Sequence, residues 1–150
     1  MTHIAHDITG SGPPLLLLHG FPQCRRMWDR IAPHLATHFT VVTADLRGYG
    51  ASHKPAAMEE MSFRAMAADM VALMQGLGFD QFHVVGHDRG GRTAFRMALD
   101  APDALLSLSV LDIVPTQFLL EQFDHEVARA YYHWTFLAQP APIPETLIGF

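Results

Sequence analysis

The chain has 150 residues, enough for one domain with a sizeable buried core. Apolar residues make up 49% and charged residues 17%, a balance that excludes a disordered polyelectrolyte. A formal net charge of −5, with ten histidines but no basic cluster, excludes the positive footprint that a nucleic-acid partner requires.

Residues 1–7 show no basic segment followed by a long apolar one, so no signal peptide is expected. Gly10-Ser11-Gly12-Pro13-Pro14 is a turn cluster. Residues 15–18 are all leucine and predict a short strand, apolar on both faces, inside a parallel sheet covered by helices. No apolar run approaches the length of a membrane span. His19-Gly20-Phe21-Pro22 breaks the strand with a loop. Cys24 is the single cysteine, which rules out an intrachain disulfide and fits a reducing compartment; a soluble cytoplasmic protein is expected.

Residues 27–35 read as a short helix with Trp28, Ile31 and Leu35 on one face and Pro33 disturbing its last turn. Residues 39–44 predict a second buried strand, followed by the glycine-punctuated loop Asp45-Leu46-Arg47-Gly48-Tyr49-Gly50. Ser62 caps a helix over 63–77, with Met66, Met70, Leu73, Met74 and Leu77 spaced for burial. A third strand over 82–85, a helix to about residue 99 that ends near Pro102, and a fourth strand over 106–111 complete an alternation that specifies a parallel α/β sheet. From Pro115 the pattern changes to an aromatic-rich helix over 118–134 and a proline-laced segment over 139–144, the start of an inserted cap.

Gly86-His87-Asp88-Arg89-Gly90 has the layout of a nucleophile elbow: strand, sharp turn, helix, with glycines two residues either side of the centre. Its central residue is aspartate. A carboxylate at a helix N-terminus is favoured by backbone N–H groups and needs no general base to become nucleophilic. It is suited to displacing a leaving group from saturated carbon, giving an alkyl ester that water must then cleave. The competing reading is a plain N-cap aspartate. His19-Gly20, after an early core strand, favours the elbow, because that loop is where such a fold keeps part of its oxyanion hole.

His19-Gly20-Phe21-Pro22-Gln23, Trp28, the segment from Asp45 to Ser52, and Gly86-His87-Asp88-Arg89-Gly90-Gly91-Arg92 resemble the α/β-hydrolase branch that holds haloalkane dehalogenases, epoxide hydrolases and haloacetate dehalogenases. Arg89 and Arg92, together with the segments from Leu111 to Thr116 and from Tyr132 to Pro142, resemble haloacetate dehalogenases in particular. The expected fold class is therefore α/β: an α/β-hydrolase fold with a mostly parallel sheet and helices on both faces. Residues 1–114 would form a partial core and residues 115–150 the beginning of a helical cap.

The resemblance implies hydrolytic dehalogenation of a haloacetate through an aspartyl ester on Asp88. Phe21 and Arg89 would supply backbone N–H groups to the oxyanion, and Arg89 and Arg92 would grip the substrate carboxylate, a task for which guanidinium groups are suited. His133 and Trp134 would bind the departing halide, and Asp112 would orient a catalytic histidine. The competing readings are a solvated helix residue for Arg92, a turn or helix cap for Asp112, and an aromatic packing face for His133 and Trp134. His19 and His87 read as structural residues satisfied by backbone bonds. No cofactor and no metal is implied; the partner is a small haloacetate, and the full-length form is expected to be a homodimer. The resemblance places the catalytic histidine beyond residue 150, so turnover is expected to stall at the ester, and strand 106–111 to leave an exposed apolar edge. The alternatives are an epoxide hydrolase of the same fold and a non-catalytic fragment.

Overall fold

The four consecutive leucines are buried on both sides of a sheet, in a computed structural model that describes residues 2–149. Met1 and Phe150, the outer ends of the two expected domain ranges, lie outside the described residues. The strands are β1 (His6–Thr9), β2 (Pro14–Leu18), β3 (Thr40–Ala44), β4 (Phe82–His87) and β5 (Leu105–Leu111), in the order β1-β3-β2-β4-β5. β1 runs antiparallel to β3, and every other pairing is parallel.

Successive side chains of a strand point to opposite faces, so β2 feeds two cores. Leu16 and Leu18 join Val42, Ala44, Met66, Met70, Met74, Ala94 and Met97 on one face. Leu15 and Leu17 join Trp28, Ala32 and Val41 on the other. The first face is covered by α2 (Phe63–Gly76) and α3 (Arg89–Asp100); the second is covered by α1 (Ala32–Leu35) and the 3-10 turn at Arg25–Trp28. Each fully buried leucine or methionine contributes about 2 kcal/mol relative to exposure.

Ser62 caps α2 as expected, its hydroxyl accepting from the Ala65 N–H at 3.2 Å. The segment 27–35 differs from the expected single helix. It is a 3-10 turn followed by one turn of α-helix, and Pro33 sits at the start of α1, where its missing N–H costs nothing. That break turns Ile31 outward, 47% exposed, away from Trp28. β1 was not foreseen, because His6-Asp7-Ile8-Thr9 is short, polar and largely exposed.

Register decides where the chemistry sits. Leu18 pairs with both Ala44 and Gly86, and His87 pairs with Leu111. The residues that follow those strands, His19, Asp45, Asp88 and Asp112, therefore emerge along one C-terminal edge, where ligands bind in open α/β sheets. β5 is the outer strand beyond β4, and Leu106, Val110 and Leu111 on it are exposed.

The chain divides into two compact units, the first ending at Ile113 and the second beginning at Val114. The second holds α4 (Thr116–Glu121), α5 (His125–Ala130), α6 (Tyr132–Leu137) and α7 (Ile143–Ile148). The single helix expected over 118–134 is thus three short ones. Asp124 starts a new helix by accepting from the Val127 N–H at 2.9 Å, which interrupts the run. Among the described residues no helix is long and apolar enough to cross a membrane.

Candidate active site

β4 ends in a turn so tight that only glycine fits on either side of its apex. A Cβ on Gly86 would lie 2.3 Å from the Gly90 carbonyl oxygen, and one on Gly90 would lie 2.4 Å from the Leu18 carbonyl oxygen. Asp88, at the apex, has φ 47° and ψ −114°, a conformation that costs a non-glycine residue about 1–3 kcal/mol. Such strain persists only where the surroundings enforce it. Here the Asp88 N–H bonds to the Leu111 carbonyl at 3.2 Å, and its carbonyl accepts from the Arg92 N–H at 3.0 Å as α3 begins.

The side chain is held from the facing loop. The Phe21 N–H donates to Asp88 Oδ2 at 2.8 Å. One of the two backbone donors expected at an oxyanion hole thus lies against the proposed nucleophile, leaving Oδ1 as the oxygen that Phe21 does not engage. Arg89 and Arg92 follow on the first turn of α3, and Arg92 is only 9% exposed, so it is not a solvated helix residue.

The loop carrying Phe21 is fixed by Asp45, whose side chain is fully buried. Asp45 Oδ1 accepts from the Arg25 N–H at 2.7 Å, and Oδ2 accepts from Arg25 Nη1 at 2.6 Å and the Ala51 N–H at 2.9 Å. Burial alone would raise its pKa; the two backbone N–H groups and the Arg25 guanidinium outweigh it and hold the carboxyl below its ordinary value. Arg25 also reaches Asp7 Oδ2 at 2.6 Å. Sequence reasoning quoted Asp45 only as part of a motif, since its burial depends on three separate segments.

His19 is fully buried and does the structural work expected of it. Its Nε2 accepts from the Leu46 N–H at 3.0 Å, so the neutral ring carries its proton on Nδ1, which donates to the Gly20 carbonyl at 2.8 Å. Burial pushes its pKa below 6.5, against the opposing pull of the Gly20 bond and the Asp45 charge. The unfolded chain therefore binds a proton near pH 6.5 that the folded chain resists, and stability present above that pH is lost as pH falls below it. Thermal melts should show a declining Tm between pH 7.5 and 5, with a flatter slope in His19→Asn. Asp45 adds a separate loss below pH 3.8.

Two aromatic residues that sequence reasoning did not single out flank Arg89. Its Cζ lies 5.0 Å from the Phe63 ring centroid and 5.9 Å from that of Tyr49. The signal lay in Tyr49 of the Asp45–Gly50 loop and in the first residue of α2, but only the folded chain brings them together.

The alpha/beta hydrolase fold family matches this chain over residues 13–149. This chain belongs to that family. A fluoroacetate dehalogenase from Burkholderia sp is 63% identical over 145 residues, covering 95% of this chain and 48% of the relative. A soluble epoxide hydrolase from Corynebacterium sp. (strain C12) is 47% identical over 111 residues, covering 73% of this chain and 38% of the relative. A crystal structure from Nostoc sp PCC 7120 superposes with a TM-score of 0.94 at 54% identity, covering 99% of this chain and 52% of that one. The α/β-hydrolase chain thus spans about half the length of the relatives it matches, or less. The resemblance and fold class read from the sequence agree with these relatives.

The remaining candidates of this α/β hydrolase are placed as follows. Asp112 follows β5 with φ 55° and an exposed side chain, whose Oδ2 lies 3.9 Å from His87 Nε2. It caps no helix. His87 departs from expectation: its buried Nδ1 has no hydrogen-bond partner among the described residues. His133 and Trp134 lie on α6 in the second unit, where Tyr131 stacks within 6.0 Å of the first and 5.3 Å of the second.

Proposed function

We propose that this chain carries the nucleophilic machinery of a hydrolytic haloacetate dehalogenase. The observation that carries the reading is the Phe21 N–H on Asp88 Oδ2, with Arg89 and the buried Arg92 on the next helical turn. A haloacetate whose carboxylate is held by the two arginines would present its α-carbon to Asp88 Oδ1. The Oδ1 lone pair forms the C–O bond as the carbon–halogen pair leaves with halide, giving the aspartyl ester. In the complete reaction a histidine takes a proton from water, whose oxygen adds to the ester carbonyl. The developing charge on Oδ2 falls on the Phe21 N–H and the backbone N–H of Arg89. Collapse breaks the acyl–oxygen bond, returns the proton to the leaving glycolate oxygen and restores the Asp88 carboxylate. Donors of this kind contribute about 3 kcal/mol each to such steps. His133 and Trp134 are proposed as halide donors on their chemistry, an imidazole and an indole N–H suited to stabilising fluoride. Asp112 is proposed to orient the histidine that activates water. The 63% identity with a fluoroacetate dehalogenase supports the substrate class.

An epoxide hydrolase is the second reading, favoured by the 47% identical relative of that name. It uses the same aspartate but no carboxylate grip. Incubation with chloroacetate or with a neutral aryl epoxide, followed by fragmentation that counts only adducts on Asp88 and not on Cys24, separates the two. The arginines predict an adduct from chloroacetate at lower concentration than from the epoxide; the reverse order would transfer the assignment.

A further inference from the structure

We infer that Tyr49 and Phe63 are positioning residues that hold the Arg89 guanidinium in an aromatic slot and so set the site's preference for a carboxylate over a neutral substrate. The inference rests on Arg89 being a carboxylate grip. A guanidinium is weakly hydrated on its faces and carries its donors on its edges. The Phe63 and Tyr49 ring centroids, 5.0 and 5.9 Å from Arg89 Cζ, are close enough to attract the cation. A guanidinium held against rings keeps edge donors for a carboxylate.

The slot has fixed walls. The Tyr49 ring meets the buried His19 ring edge-on at 5.2 Å. The loop bearing Tyr49 is tied to α2 by Arg47, whose Nε and Nη2 donate to the Asp69 carboxylate at 2.5 and 2.7 Å. Arg47 Nη1 also donates to the Glu60 carbonyl at 2.9 Å. Phe63 opens that same helix, so both walls are referenced to α2.

Charge pairing separates Arg89 from its neighbours. Arg25 is bound by Asp7 and Asp45, and Arg47 by Asp69. Among the described residues no carboxylate forms an ion pair with Arg89, and its buried Nε has no acceptor. Burial pushes the Tyr49 phenol up against the opposing charge and side-chain hydrogen bond of Arg89. The phenol therefore stays neutral, does not cancel that charge and holds the guanidinium through its oxygen as well as its ring. A half-buried arginine held against two rings, with no carboxylate partner among the described residues, is arranged for an anion from solution.

The test is calorimetric binding of fluoroacetate and of neutral fluoroacetamide to the Asp88→Asn chain, where no ester forms. Phe63→Leu in that background should weaken fluoroacetate about tenfold, with fluoroacetamide changed less than about twofold. Tyr49→Leu should do the same, and Tyr49→Phe, which keeps the ring but loses the phenol's hydrogen bond to Arg89, should recover most of the affinity. The Arg89 Nε–H signal in NMR should shift and lose its exchange protection in both leucine variants. Equal weakening of both ligands would overturn the slot in favour of a packing role, and unchanged binding would overturn it outright. Absence of fluoroacetate binding to Asp88→Asn itself would overturn the carboxylate grip and the slot together, a failure distinguishable from the other two. If Phe63→Leu fails to fold, the Tyr49 pair decides the matter.

Discussion

Asp88→Asn is expected to reduce the rate of ester formation from chloroacetate by about 10⁴-fold or more, the scale on which removal of an enzyme nucleophile acts. The amide has the shape of the carboxylate but not its nucleophilic charge. Asparagine is tolerated at positive φ, and its side-chain oxygen can still accept from the Phe21 N–H, so the fold should survive with a Tm close to that of the parent. This separates chemistry from structure, which alanine at the same strained position would not do. Kinetics of the Asp88 adduct in the two proteins, read by fragmentation so that Cys24 alkylation is excluded, and their melting curves check both halves of the expectation. Undiminished ester formation in the asparagine variant would remove Asp88 from the chemistry.

Gly90→Ala is expected to cost about 3 kcal/mol or more, enough to unfold much of the population of a marginally stable chain. The added methyl would meet the carbonyl oxygens of Leu18 and His19 at 2.4 and 2.6 Å, and these belong to the central strand and its exit, not to flexible side chains. Relief would require lifting α3 from the sheet, opening the core around Ala94 and Met97 and moving Asp88 away from Phe21. Gly76 is the matched control: an added Cβ meets nothing within 4 Å, so Gly76→Ala should change stability by less than about 1 kcal/mol, in the stabilising direction. Urea denaturation of the two variants measures the contrast.

The sheet was legible where one segment holds all the information. Residues 15–18 are apolar on both faces, a pattern that suits an interior strand, and Phe82, Val84 and Val85 mark the strand beside it. The elbow was legible for the same reason, since glycines two residues either side of Asp88 answer a local steric demand. Helix ends and lengths were less so. Pro33 starts a helix where it was expected to disturb one, and Asp124 divides a run that hydrophobic pattern alone joins. β1 escaped because an exposed edge strand need not be apolar. In the site, Asp88, Arg89 and Arg92 lie within five residues and were readable together. The Asp45 anchor and the Tyr49–Phe63 slot each join three separated segments, and single-chain patterns carry no trace of such meetings. The unsatisfied His87 Nδ1 likewise depends on packing around the elbow.

The most direct measurement is the position of the adduct after one equivalent of chloroacetate has reacted, read by fragmenting the alkylated chain in a mass spectrometer. Cys24 is a free, partly exposed thiol and the natural site of adventitious alkylation, so adduct mass alone does not decide. The account predicts a base-labile ester on Asp88, formed also with fluoroacetate, which is a poor thiol alkylating agent. A stable thioether on Cys24, with Asp88 unmodified and no reaction with fluoroacetate, would contradict it.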